Sequence, residues 1–206
     1  MSTERVAPQR PPIRESQKAA TAKVLLDASE ELFFEQGYTA TTIGQIAARA
    51  GASRATFYLH FDAKWRTVAE LARLKLVPET IDFYRRLDAH TDISRHDMRS
   101  WLDDALEFYV RNRDLVLIVV QVLQLEPEFA AENERIVRTF AAEMPHLLQR
   151  WGPDRRAEVH LRLGLLISQL SDFAAGWLTG IWNGVDRAVA IDVLTDFWMA
   201  GLRAQG

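Results

Sequence analysis

The stretch Thr41-Thr42-Ile43-Gly44-Gln45-Ile46-Ala47-Ala48-Arg49-Ala50-Gly51-Ala52-Ser53-Arg54-Ala55-Thr56-Phe57-Tyr58-Leu59-His60-Phe61 holds two short helical patterns broken at one glycine. Thr42 and Gln45 have the spacing at which a hydroxyl and a carboxamide satisfy the orphan N–H groups of a helix start. Ile43, Ile46, Ala47 and Ala50 then fall on one inner stripe. Gly51 is free to take the left-handed conformation that ends this helix, and Ser53 is a good N-cap for the next. The second helix carries Arg54, Thr56, Tyr58 and His60 beside the core candidates Phe57 and Phe61. The pattern is a helix-turn-helix, which sets hydrogen-bond donors where a recognition helix meets DNA.

Around this unit, helical periodicity runs the length of the 206-residue chain, and no alternation of apolar and polar residues points to a sheet. The expected fold is all-α. The first helix is expected from about Ser16 to Gln36, with Val24, Leu25, Ala28 and Leu32 inward and Gly37 closing it. Asp62 is placed to cap a fourth helix that Pro78 stops after Val77. Further helices are expected near 79–89, 96–112, 114–125, 127–150, 154–183 and 186–204. The domain division that follows is an N-terminal arm over 1–17, a helix-turn-helix domain over 18–63, a connecting helix over 64–78, and a larger domain over 79–206.

Composition excludes several classes. The chain has no cysteine and a net charge of −3, which removes disulfides, thiolate catalysis and cysteine-ligated zinc and fits a cytoplasmic protein. Met1 to Ser16 carries Pro8, Pro11, Pro12 and the arginines Arg5, Arg10 and Arg14 without an apolar run, so it reads as a flexible arm able to reach a minor groove, not as a secretory signal. Leu115 to Leu125 is too short to cross about 30 Å of hydrocarbon, and the longer 163–182 stretch carries Gln169 and Asp172; no membrane partner is expected. Residues 1–70 hold nine Lys/Arg against eight Asp/Glu, a weak basic balance. The acids gather at Asp27, Glu30, Glu31 and Glu35, while Arg49, Arg54, His60 and Lys64 bracket the helix-turn-helix, so the asymmetry counts for more than the sum.

Enzyme motifs are absent from the sequence. None of the histidines at 60, 90, 96, 146 and 160 has an i, i+4 partner for a helical metal pair. Glu143-Met144-Pro145-His146 matches the Glu-x-x-His of di-iron bundles in a single copy that a proline interrupts. There is no nucleophile elbow, phosphate loop or dinucleotide fingerprint. Neither catalysis, nor a cofactor, nor a metal is expected.

Ala28, Leu32-Phe33, Gly37-Tyr38, Thr41-Thr42-Ile43, Ala50-Gly51, Ser53, Thr56, Tyr58, Phe61 and Lys64 together resemble the TetR family of bacterial transcriptional regulators over roughly residues 18 to 68. Trp65 stands where the family usually has an acid, Thr67 replaces a usual leucine, and Ala55 a common glycine. The resemblance and the donor chemistry assign DNA contact to Thr42, Ser53, Arg54, Thr56, Tyr58, His60 and Lys64. Arg54 is the candidate for bidentate reading of a guanine, with phosphate contact as its alternative. Thr42, Thr56, Tyr58, His60 and Lys64 are candidate phosphate clamps, Tyr58 alternatively completing the small core.

The same resemblance implies a homodimer on a palindromic operator, with an effector in the larger domain moving the fourth helix. Gly176, Gly180 and Gly184 lie four apart, a small-residue stripe for close helix approach that costs about 1 kcal/mol per glycine in a lone helix. With Val189, Val193, Phe197 and Trp198 on the last helix, it is the expected dimer face. Trp101, Phe108, Tyr109, Val119, Met144, Trp151, Phe173 and Trp177, with Gln121, Gln169 and Asp172 as polar anchors, are the candidate lining for a small apolar or aromatic effector. Each also has an ordinary core reading. A regulator of this kind without a ligand, and a helical carrier or enzyme with a vestigial helix-turn-helix, remain the alternatives.

Overall fold

A computed structural model describes residues 13–90 and 92–203. Among the described residues it consists of helices and turns without a strand. Tertiary contacts divide the chain into Met1–Thr67 and Val68–Gly206. Residues 1–12 of the arm expected over 1–17, with Arg5 and Arg10, lie outside the described residues, whereas 13–17, with Arg14, are helical and belong to the first helix and not to an arm. Helix α1 spans Ile13–Gln36, starting three residues ahead of the expected Ser16.

In the first unit α1 is followed by α2 (Ile43–Arg49), α3 (Arg54–Tyr58) and the start of α4 (Lys64–Lys75), which runs through the boundary between the units. Leu25, Phe33, Tyr38, Ile46, Phe57 and Phe61 are buried, with Phe33 5.5 Å from Tyr38 and Phe57 5.7 Å from Phe61, centroid to centroid. The buried hydroxyls are satisfied locally. Ser29 donates to the Leu25 carbonyl at 2.7 Å, and Thr41 to that of Gly37 at 2.8 Å. Arg49 reaches from α2 to Glu31 and Glu35 on α1 at 3.1 and 2.9 Å. Asp62 bonds the Arg66 side chain at 3.2 Å, two residues ahead of the first residue of α4.

The second unit contains α5 (Val77–Asp88), α6 (Arg95–Arg111), α7 (Arg113–Leu125), α8 (Pro127–Ala142), α9 (Pro145–Trp151), α10 (Arg156–Thr179) and α11 (Arg187–Leu202). Pro78 sits in the first turn of α5 and does not end α4, because a proline lacks only an N–H that the first turn leaves unpaired anyway. The expected helix over 127–150 is two helices, since Pro145 removes a donor and reopens the chain at Met144. Asp88 on α5, 3% exposed, accepts from the backbone N–H groups of His146 and Leu147 at 3.0 and 2.8 Å, capping α9 from a distant part of the chain.

The core of this unit is built on Phe83, Trp101, Leu102, Leu163, Leu194 and Trp198. Trp101 lies 4.6 Å from Phe83 and 4.8 Å from Trp198, and its indole N–H donates to the Phe83 carbonyl at 2.9 Å. Ion pairs Arg95–Asp196, Arg99–Asp192 and Arg187–Asp103 tie α6 to α11 along the rim. Among the described residues no helix is long and apolar enough to cross a membrane.

Candidate nucleic-acid interface

Two tight caps define the helix-turn-helix. Thr42, in an extended conformation, accepts from the Gln45 N–H at 3.2 Å, while Gln45 Oε1 accepts from the Thr42 N–H at 2.8 Å, the reciprocal capping box. At the other end Gly51 takes φ +64°, and the N–H groups of Gly51 and Ala52 return to the carbonyls of Ala48 and Ala47 at 3.1 and 2.8 Å. This is the Schellman closure, which needs a residue without a Cβ penalty at the left-handed position. Ser53 then caps α3, accepting from the Thr56 N–H at 3.0 Å, with its hydroxyl 2.9 Å from that of Thr56. Three residues thus lie between the end of one helix and the cap of the next.

The α3 surface separates into an inner and an outer side. Phe57 is fully buried, whereas Arg54, Ala55, Tyr58 and Leu59 are exposed. Tyr58 is 56% exposed, so it does not complete the small core. Leu59 is 76% exposed, an apolar side chain at the outer end of the recognition helix that sequence reasoning passed over. Its signal was its position: Leu59 lies between the inward pair Phe57 and Phe61, and i, i+4 from Ala55.

The cations are less equivalent than their proximity in sequence implies. The Arg49 charge is balanced by Glu31 and Glu35, and its hydrogen bond holds the Glu35 carboxyl below the ordinary carboxylate range. Lys64, expected as a phosphate clamp, donates into its own domain, to the carbonyls of Tyr38 and Thr41 at 2.7 and 2.8 Å, and lies 3.8 Å over the Tyr38 ring. The α1–α2 junction ends in carbonyls that need a donor, and Lys64 is half-buried at the position to supply it. His60 is half-buried at the end of the motif. Arg54 remains exposed and makes no ion pair among the described residues, its guanidinium lying instead against Gly44 on α2.

Thr67, replacing an expected leucine, is fully buried and donates back to the Lys64 carbonyl at 2.8 Å. Trp65 is buried with the Arg66 guanidinium 4.0 Å over its ring. Both departures therefore have satisfied surroundings.

In the larger unit the candidate effector residues do not form one lining. Trp101, Phe108, Met144 and Trp151 are buried, and Trp101, Met144 and Trp151 belong to the packed core. Tyr109, Phe173 and Trp177 pack against that core half-buried. The Tyr109 hydroxyl is 3.0 Å from that of Ser171; burial pushes its phenol pKa up against the opposing effect of this bond. Val119 is half-buried on α7. Gln121 and Asp172 are exposed and are removed as interior anchors, because each falls on the outer side of its helix. Gln169 keeps its place: its carboxamide oxygen is buried and has no hydrogen-bond partner among the described residues. A groove of about 360 Å³ between Ile93, Met98, Arg150, Trp151, Met199 and Leu202 takes in Trp151 alone of the expected set.

The glycine stripe is also corrected. Helix α10 ends at Thr179, and Gly180 caps it at φ +81°, so Gly176, Gly180 and Gly184 do not share a helix face. A helix whose last residue precedes a left-handed glycine changes direction there. Gly176 instead makes room for Trp182, whose Nε1 would stand 2.5 Å from an added Cβ, and the Trp182 ring stacks on Phe173 at 5.9 Å. Trp198 is fully buried within the single chain and is removed from the surface set. Val189, Val193 and Phe197 are exposed, at 55%, 49% and 60%.

Comparison with known proteins adds sequence likeness to this geometry. Residues 25–65 match the family model described as bacterial regulatory proteins, tetR family. The HTH-type transcriptional repressor KstR2 of Rhodococcus jostii is 31% identical over 129 residues, 63% of this chain and 60% of that repressor's length. The HTH-type transcriptional activator FasR of Mycolicibacterium smegmatis is 25% identical over 183 residues, 86% of this chain and 81% of that one. The fold is shared with the fatty acid degradation regulator FadR of Bacillus halodurans, with a TM-score of 0.61 at 19% identity over 96% of this chain and 100% of the other.

Proposed function

The chain belongs to the TetR family of bacterial transcriptional regulators, and on that footing we propose that it is a cytoplasmic homodimeric repressor that binds a palindromic operator through α3 and responds to a small, mostly apolar effector. The observation that carries the DNA half is the doubly capped helix-turn-helix, with Arg54 exposed and outside any described ion pair on its second helix. Thr42, Ser53, Thr56, Tyr58 and His60 surround it as phosphate contacts, and Lys64 supports them by fixing the junction after α1. Operator selection from random duplex DNA tests this reading, and recovery of no sequence favours a carrier or enzyme with a vestigial motif. On the selected operator, Arg54→Ala is expected to cost about 1–3 kcal/mol, and much less on a random duplex. Equal losses on both make Arg54 a phosphate contact.

The dimer half rests on two helices that are apolar on both sides. Helix α10 buries Val159, Leu163, Ile167 and Leu170 yet exposes Leu161 and Leu165; α11 buries Ile191, Leu194 and Trp198 yet exposes Val189, Val193 and Phe197. A helix apolar all round belongs inside a larger bundle, and a second copy supplies the other half of a four-helix one. Two recognition helices then enter successive major grooves about 34–36 Å apart.

For the effector, the support is the partnerless buried oxygen of Gln169 and the half-buried rings of Tyr109, Phe173 and Trp177 packed against an apolar core. Titration with such a ligand is expected to quench tryptophan fluorescence, raise the melting temperature and change operator affinity together. Stabilisation without a change in operator affinity marks a passenger. Silence in all three favours a regulator without a ligand, a reading that the packed positions of Trp101, Met144 and Trp151 support. The repressor sense follows the likeness to KstR2, and a target-promoter fusion that rises on deletion of the gene tests it.

A further inference from the structure

Gly44 is the second residue of a seven-residue helix, a place where alanine is the better helix former. A methyl group added there would stand 2.6 Å from Nη2, 2.9 Å from Nε and 3.1 Å from Cζ of Arg54. The Nε–Nη2 edge of the guanidinium therefore abuts the bare Cα of Gly44 on α2. No acceptor draws it there, and the start of a helix is the end that disfavours a cation, so the contact is one of shape. Neither helix is free to adjust. The Thr42–Gln45 box and the closure at Gly51 hold α2, and the Ser53 cap holds the first turn of α3, from which Arg54 projects.

We propose that Gly44 is a specificity-determining residue, the platform that sets the pose from which the Arg54 guanidinium reads a base. The inference rests on the base-reading role of Arg54 proposed above. Bidentate recognition needs the planar fork held in one orientation, and a long side chain already restrained loses less freedom when it meets the base. A Cβ at position 44 forces the far end of Arg54 away, because it is the flexible partner in the contact and the α2 backbone is not. The helix itself gains an easier residue. Stability and sequence discrimination are thus expected to move in opposite directions, which a purely structural glycine does not produce.

The test compares Gly44→Ala, Arg54→Ala and the double variant in the full-length protein. Each is measured for melting temperature and for affinity to the selected operator and to a random duplex of equal length. Gly44→Ala is expected to melt at or above the parent temperature, and its operator-to-random affinity ratio to fall about tenfold. In the double variant the ratio should be no lower than with Arg54→Ala alone, since both changes act through one guanidinium. The proposal is overturned if Gly44→Ala lowers the melting temperature, if it keeps the ratio within about twofold of the parent, or if the two losses add. Should Arg54→Ala itself leave the ratio unmoved, the base-reading role falls and the positioning role falls with it.

Discussion

Phe197→Glu is expected to convert the proposed dimer to a monomer without unfolding it. Phe197 is 60% exposed in the single chain and contributes little to its core, whereas its neighbour Trp198 is fully buried; helix content should therefore hold. In the proposed dimer Phe197 is the last and largest member of the exposed α11 stripe begun by Val189 and Val193, where the partner's α10 and α11 exclude water. A carboxylate in such a place loses its hydration without an acceptor-rich partner, and the loss of an aromatic anchor alone costs about 2–4 kcal/mol. Together these weaken dimerisation by about a thousandfold or more. Operator affinity should fall by about two to four decades, because each half-site is then bound without the gain of linkage. Sedimentation at micromolar concentration reads the first effect and a gel-shift titration the second. A variant that remains dimeric moves the interface off α11. Gly180→Leu does not serve the same purpose, since a leucine at φ +81° strains the α10 cap directly.

Much of the fold was legible because it rests on local chemistry. Thr42 with Gln45, Gly51 and Ser53 each terminate or begin a helix through bonds to residues within five positions, and the helix-turn-helix follows from the short sequence that contains them. The helices of the larger unit were legible from their period, and their ends were less so. Proline has two meanings at a boundary, and at Pro78 it opens a helix where a stop was expected. Residues four apart share a face only while the helix continues, which is why a glycine spacing that crosses Thr179 misled. The functional residues were legible by type but not by partner. Lys64, Arg49 and Arg54 are equal as cations in sequence; only the fold shows Lys64 donating to two carbonyls, Arg49 facing two glutamates and Arg54 resting on a glycine. Similarly, Trp101 and Trp198 signalled bulk, and their contact at 4.8 Å identifies that bulk as core.

The least legible residue with a large role is Asp88, and Asp88→Ala is expected to destabilise the larger unit by about 2–6 kcal/mol. The magnitude follows from what the carboxylate does. One oxygen accepts from the His146 N–H at 3.0 Å and the other from the Leu147 N–H at 2.8 Å. These belong to the first turn of α9, whose own N-cap, Met144, has no side chain to accept them. Removing the acceptor leaves two backbone donors at a site that is 3% exposed, each carrying an unpaired cost of about 1–3 kcal/mol. Helix α9 places Leu147 and Trp151 in the core, so loosening its start also loosens their burial. Asp88→Asn keeps one good acceptor and should fall between the parent and the alanine variant. Urea unfolding monitored by tryptophan fluorescence measures the order, and the midpoint should shift while the slope stays constant. An alanine variant within about 0.5 kcal/mol of the parent would show that water replaces the carboxylate and that α9 is held by its apolar side chains alone.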